Sequence, residues 1–456
     1  MSDPVSSAPL PVARLDYQQQ FPSYRYWRVR MLATSLVGYA IFYFVRTNIS
    51  VALPVMEKSL HESKENLGFV LTVGGVVYGI SKFINGFLGD RANPRYFMAL
   101  GLFLCAVMNV FFGLSSSLAM LALFWFLNNW AQGMGFPPCA KTMGYWFSPR
   151  ERSTTFGIWH TGHTMGAALV SVLTGYLIKY WGNWRLCFFV PAGLAVLGSL
   201  MILASLRDTP ESMGLPPVEL YKGEQTEQEL EAEIEAAQPY WKIVWDMVLT
   251  SKFMWIISVA NFLVYTLRYA AVFWGPTMLQ ELKHVTPAAS GWMQFSFEIA
   301  GMVSALISGY VADHWFGGRA GRVCAIAMAA MAAIVFAFWK LPPGHAALTT
   351  TCYIAMGFMV YIPQMLIAAI AMNLGTKRAA AAAVGLTGIL GYASTAVSGF
   401  GVGFIVDHTG WNGAFEMMIV CAVATLVLMA LTWNVGAHHK LPRESAFPVV
   451  PADSKQ

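Results

Sequence analysis

The sequence predicts an all-α membrane protein, with twelve transmembrane helices arranged as two pseudo-symmetric six-helix bundles. Three observations carry that expectation. The 456 residues are 56% hydrophobic and only 12% charged, about half the ~25% of an ordinary soluble chain. Twelve apolar segments reach the ~20 residues that a helix needs to span a bilayer. They lie near 31–56, 66–88, 96–115, 117–146, 154–180, 186–206, 253–280, 288–312, 322–341, 346–374, 379–406 and 412–436. Features of the first six also return in the last six. Arg46 and Arg268 stand 222 residues apart, Asp90 and Asp313 223, Arg152 and Arg378 226, Trp184 and Trp411 227. Four features sharing nearly one offset point to a duplicated six-helix unit.

The one long polar connection, 207–250, divides the spans six and six. It opens as RDTPESMGLPP and continues into the acidic, helix-prone EQTEQELEAEIEAAQ. The expected organisation is therefore a bundle over 1–206, a cytoplasmic loop over 207–250, and a second bundle with its tail over 251–456. The stretch to Tyr24 is polar and has neither the apolar centre nor the cleavage site of a secretory signal, so none is expected. Of 29 lysines and arginines, nineteen fall on the side of the termini, six on the other and four within spans. Cations stay on the cytoplasmic side. Both termini are thus expected in the cytoplasm of a bacterium, with the chain in the inner membrane. The six cysteines all fall in apolar segments without paired spacing, which predicts neither a disulfide framework nor a metal site. Outside the spans there is no nucleophile–base pair, ligand cluster or phosphate-binding glycine loop. No enzyme, cofactor or nucleic-acid partner is expected.

The first span, GYAIFYFVRTNIS at 38–50, holds Arg46 sixteen residues beyond Arg30 and twelve before Lys58. At ~1.5 Å of rise per residue, Arg46 sits ~24 Å from the first of these. A guanidinium at that depth costs several kcal/mol unless it faces a polar cavity. Tyr39 and Tyr43 precede it on the same helix face. Arg268 occupies a similar depth in NFLVYTLRYAAVFW, with Asn261 and Tyr265 at the same two spacings.

Other intramembrane polar groups join them. The second span carries Tyr78 and Lys82 in VYGISKFINGFLGD; a lysine there either lines a cavity or snorkels toward the end of the span. The fourth, NNWAQGMGFPPCAK, sets Gln132 beside helix-breaking glycines and prolines, as a ligand group or part of a kink. The fifth, GIWHTGHTMGAA, holds Trp159, His160 and His163. His163 is the better candidate, because imidazole titrates near neutral pH and can follow the charge of an anion. His160 points elsewhere around the helix. Glu298 in the eighth span is either a counter-ion or a proton carrier. Tyr361 and Gln364 in the tenth span and Tyr392 in the eleventh add further polar groups. Asp90 and Arg91 of GFLGDR and Asp313 of GYVADH are expected at the gate between the halves.

Two guanidiniums, an ammonium and an imidazole against one carboxylate favour an anionic ligand that engages two planar forks at once. A phosphate monoester meets that requirement better than a monocarboxylate. Occupancy would relieve the cost of closing the cavity over bare charges, which couples binding to alternation between two states.

The stretches GYAIFYFVRTN, YGISKFINGFLGDRANPRYF, QGMGFPPCAKTM, W-H-T-G-H at 159–163, RDTPESMGLPP, VYTLRYAAVFWGP and GLTGILGYAS resemble the organophosphate:phosphate antiporter family of the major facilitator superfamily. The resemblance covers nearly the whole chain. It implies exchange of an external organophosphate for inorganic phosphate by rocking of two halves. It also implies that Arg46 and Arg268 bind the phosphoryl group, with His163 linked to substrate and Lys82 as the second-helix lysine. Tyr39, Tyr43, Tyr78, Tyr265, Tyr361 and Tyr392 would be cavity tyrosines. Thr47 and Phe273 stand where the family usually has a lysine and an aspartate. Glu298, left without a lysine neighbour, is expected to pair with Arg46 or Arg268 in the empty state. H-T-G-H also stands where the family commonly has N-x-x-H.

The leading expectation is a monomeric transporter for a small organophosphate: glycerol 3-phosphate, a hexose 6-phosphate or a phosphoglycerate. A membrane sensor of sugar phosphate that signals to a partner kinase, and a proton-coupled organic-anion symporter, are the alternatives.

Overall fold

The computed structural model describes residues 13–218, 221, 244–374 and 376–433. The acidic run of the central loop lies outside them. Fifteen α-helices follow one another among the described residues. In the first half these are α1 (Ala13–Phe44), α2 (Ile49–Leu60), α3 (Lys64–Arg91), α4 (Pro94–Leu114), α5 (Leu118–Gln132), α6 (Phe136–Trp146), α7 (Pro149–Trp181) and α8 (Leu186–Ser205). In the second they are α9 (Lys252–Leu282), α10 (Pro287–His314), α11 (Ala320–Lys340), α12 (Ala346–Leu374), α13 (Thr376–Ala393), α14 (Val402–Thr409) and α15 (Trp411–Leu431). Ten stretches can cross a membrane by length and composition. The fourth expected span is the broken pair α5–α6, and the fifth is the 33-residue α7, which completes twelve.

The duplication is visible in matching parts. Helices α3 and α10 both have 28 residues, and α4 and α11 both have 21. Ser63 and Thr286 cap α3 and α10 by accepting a hydrogen bond from the amide three residues on. Pro54 in α2 and Pro276 in α9 share the arginines' offset of 222 residues. The indole of Trp184 donates to Ser59 Oγ at 3.3 Å, and that of Trp411 to Glu281 Oε2 at 2.8 Å. In each half, a tryptophan opening the last span thus ties down the end of the first.

Helices α3, α7, α10 and α13–α14 form the seam between the halves. At the end remote from the termini they close on each other through glycine. A Cβ on Gly68 would stand 2.4 Å from Gly399 O, and one on Gly291 2.4 Å from Ser171 O. Thr72 Oγ1 donates to Thr395 O at 3.0 Å and accepts from Phe400 N at 2.8 Å. Lys64 reaches Glu57 at 2.6 Å and Glu281 at 3.1 Å, and Asp407 accepts from Glu65 N at 2.7 Å. These partly buried ion pairs add to the backbone-to-backbone packing at this closure. Toward the termini the seam opens. Among the described residues, positions Gly86 of α3, Gly157 of α7, Gly309 of α10 and Gly385 of α13 have no neighbour within 4 Å of where a Cβ would stand. The protein is therefore closed at its far end and parted at its terminal end.

Candidate functional site: two arginines at one cavity

The first span is not continuous. It unwinds between α1 and α2, over residues Val45–Asn48, immediately around Arg46. Unpaired backbone in a membrane interior must find other partners, and side chains from neighbouring helices supply them. Val45 O accepts from Asn109 Nδ2 at 3.1 Å and from Asn128 Nδ2 at 3.0 Å. Phe42 O accepts from Gln132 Nε2 at 2.9 Å. Asn48 Nδ2 donates to Asn109 Oδ1 and to Cys187 O, both at 2.9 Å. The second half lacks these groups: Ala270 stands for Asn48, Val335 or Phe336 for Asn109, and Ile354 for Asn128. Its counterpart, α9, accordingly runs straight through Arg268.

The two arginines come from opposite halves and line one cavity. Tyr43, Thr47, Asn129, Tyr269, Glu298 and Thr395 add polar lining, while Leu71, Trp125, Val272 and Phe273 supply apolar wall. Thr47 and Phe273, the two uncharged replacements, both face this space. Arg46 Cζ lies 3.5 Å from the ring centroid of Tyr78 and 5.2 Å from that of Tyr43. Arg268 Nη2 donates to the hydroxyl of Tyr361 at 2.9 Å, and that hydroxyl donates to Glu298 Oε2 at 2.5 Å. The expected direct pairing of Glu298 with an arginine is thus replaced by a bridge through Tyr361. Among the described residues neither arginine makes a salt bridge, and Arg268 Nε is buried without a hydrogen-bond partner.

One layer toward the termini lies an aromatic floor. Tyr78 packs against Tyr392 at 5.1 Å, Tyr392 against Tyr265 at 6.0 Å, and Tyr39 stacks on the buried Trp159 at 4.8 Å. The hydroxyls of Tyr39 and Tyr78 are 3.4 Å apart. Lys82 Nζ sits over Phe136 at 4.0 Å and Tyr392 at 5.7 Å, among rings from both halves and outside the lining of the arginine cavity. His163 lies 5.1 Å from the ring of Tyr43. With His160, Thr161, Thr164 and Tyr361 it lines a second cavity, walled by Met302, Leu306 and Met365. His163 Nδ1 contacts His160 O, and Nε2 lies 3.3 Å from Thr164 Oγ1.

Other expected residues are placed differently. Gln132 gives its amide to the α1 break, and Asn261 gives its own to Thr387 O at 2.8 Å; both stitch helices and neither lines the cavity. Arg91 and Asp313 are exposed and form no salt bridge among the described residues. The side chain of Asp90 lies outside the described set. The sequence reading passed over Asn48, Asn109 and Asn128, which position Arg46, and Trp125, Asn129 and Tyr269 of the lining. Their signal was the presence of asparagines in membrane helices with no local reason to be there.

Two six-helix halves closing around a shared polar cavity define a membrane transport protein of the alternating-access class. The major facilitator superfamily model matches residues 35–399. A glycerol-3-phosphate transporter of Bacillus subtilis (strain 168) is 38% identical, over 93% of this chain and 96% of that protein. A probable hexose phosphate transport protein of Chlamydia pneumoniae is 36% identical, over 90% and 92%. The membrane sensor protein UhpC of Salmonella typhimurium is 34% identical, over 92% and 94%. In architecture, a bacterial homologue of the human lysosomal transporter Spinster superposes with a TM-score of 0.71 at 16% identity, over 90% of this chain and 96% of that one. The chain belongs to the organophosphate:phosphate antiporter family of the major facilitator superfamily.

Proposed function

We propose that this protein takes up a small organophosphate in exchange for inorganic phosphate, as a monomer in a bacterial inner membrane with both termini cytoplasmic. The observation that carries the proposal is the pair Arg46 and Arg268, one from each half, facing one cavity with no carboxylate in a salt bridge to either among the described residues. Two planar forks on opposite walls suit the oxygens of a single phosphoryl group. An anion held by both ties the halves together and removes the cost of enclosing bare charge, so a loaded protein switches more readily than an empty one. The relatives' names, a glycerol-3-phosphate and a hexose phosphate transporter, support the same class of ligand. With cytoplasmic termini, the parted end faces inward. Phosphate from the cytoplasm then meets Lys82 and the tyrosine floor before the arginines, while the side chains of His163 and Trp159 suit the organic part of the partner substrate.

The test uses the purified chain in liposomes loaded with labelled phosphate. Glycerol 3-phosphate, glucose 6-phosphate or 3-phosphoglycerate is added outside and efflux is followed. Efflux stimulated by one of them supports the proposal and names the substrate. Tight binding of one without efflux would overturn it in favour of a sensor, a reading supported by the sensor-named relative. Phosphate-independent uptake driven by pH would favour a proton symporter instead.

A further inference from the structure

We propose that the outer edge of the first half, where α1, α4 and α8 meet at the terminal end, binds the phosphate headgroup of an anionic phospholipid. Three arginines from three segments converge there. Arg30 Nη2 and Arg207 Nη1 each donate to Ala204 O at 3.1 Å, which holds the two nitrogens no more than about 6 Å apart. Arg95 Nε donates to the carbonyl of the residue before Ala204, Leu203 O, at 2.5 Å. Trp27 serves as a common platform, with Arg30 Cζ 5.0 Å and Arg207 Cζ 5.5 Å from its ring.

Carbonyls at and just beyond the end of α8 and, for Arg30, the Tyr26 hydroxyl at 2.7 Å take one or two donors from each guanidinium, and each has five. None of the three forms a salt bridge among the described residues. Asp208, the adjacent carboxylate in the chain, turns instead to Lys141 at 3.7 Å and Asn93 at 3.3 Å. Burial, together with the Arg95 and Arg30 charges, pushes Arg207 below the ordinary arginine value. This is a cluster of like charge held together with its counter-ion supplied from outside.

The surroundings identify that counter-ion as a lipid. Exposed Tyr26 and Tyr96 flank the arginines, as aromatic residues do at headgroup level. Below them, exposed Leu100 and Phe103 descend α4 while exposed Leu200 and Leu197 descend α8, at spacings that keep each pair on one helix face. A headgroup on the arginines would lay its acyl chains along these ribs. Basic pockets between helix ends bind anionic headgroups in this way. A soluble phosphate compound would use the arginines and leave the ribs without a role.

The test is native mass spectrometry of the purified, delipidated chain, titrated with phosphatidylglycerol or with phosphatidylcholine of the same acyl composition. The wild type should retain phosphatidylglycerol in preference. The combined variant Arg30→Gln, Arg95→Gln, Arg207→Gln should bind it roughly 100-fold more weakly, with phosphatidylcholine unchanged. Arg207→Gln alone should lose roughly fivefold, and it carries the test if the triple variant does not elute as a folded monomer. No preference for the anionic lipid in the wild type, equal affinity in the variants, or displacement of the lipid by an equal concentration of inorganic phosphate would each overturn the proposal.

Discussion

Asn109→Leu is the substitution that most directly tests how Arg46 is positioned. The side chain accepts from Asn48 Nδ2 at 2.9 Å, and its own amide is shared among Val45 O, Cys105 O and Asn128 Oδ1 at 2.9–3.1 Å. An amide has two hydrogens, so the substitution removes two donated bonds and one accepted. Polar contacts between membrane helices average ~0.6 kcal/mol each, which gives a loss of ~2 kcal/mol. Leucine keeps asparagine's branched shape with bulkier methyl groups, so no cavity adds to that figure. Val45 O keeps Asn128 as a partner and Asn48 keeps Cys187 O, so the turn loosens without the span refolding. Arg46 then loses alignment with the shared anion, at a cost of at least one charge-assisted bond and so ~10-fold in phosphate affinity. Denaturant unfolding in micelles measures the first effect and calorimetric phosphate titration the second. Unfolding within ~0.5 kcal/mol of wild type together with unchanged phosphate affinity would refute the argument that asparagines hold the break.

Three other substitutions address the seam and the cavity. Gly399→Val sets a side chain where Thr72 Oγ1 is 2.6 Å and Gly68 O 2.9 Å away. It should drive the far end apart, and spin labels at positions 61 and 284 should report longer distances; an unchanged distance in folded protein would contradict the close-packing account. Glu298→Gln keeps an acceptor for Tyr361 but removes the negative charge beside Arg268. Phosphate should bind several-fold more tightly and exchange kinetics should change, as a quench-flow assay in liposomes would show; unaltered affinity and exchange would remove Glu298 from charge balancing. Tyr361→Phe deletes two charge-assisted bonds, each contributing ~1.5–3 kcal/mol. It should destabilise the empty protein more than the phosphate-loaded one, and equal losses in both thermal scans would argue against the bridge.

Much of the architecture was legible in the sequence because the membrane imposes it. Long apolar runs must be helices, and a duplicated arginine at a nearly fixed offset survives as an equivalent position in each half. The break beside Arg46 was not legible. Nothing in FYFVRTNIS itself unwinds a helix, and the cause lies with Asn109, Asn128 and Gln132, which reach it from two other spans. By contrast, GMGFPP in the fourth span announces its own break, between α5 and α6. The expected ligand groups Gln132 and Asn261 went to backbone carbonyls because a buried amide binds whichever unpaired partner is nearest, and sequence spacing does not reveal that partner. The direct Glu298–arginine pair failed for a similar reason, since Tyr361 enters from α12 and takes the intervening position.

The central claim, that one anion engages both arginines together, is tested most directly by calorimetric phosphate binding to wild type, Arg46→Lys, Arg268→Lys and the double variant. Lysine keeps the charge but loses the planar fork. If one phosphate bridges the pair, each single variant should lose ~10- to 100-fold in affinity, and the double variant should lose little more than either alone. Losses that multiply in the double variant, or wild-type affinity in either single one, would contradict a shared site.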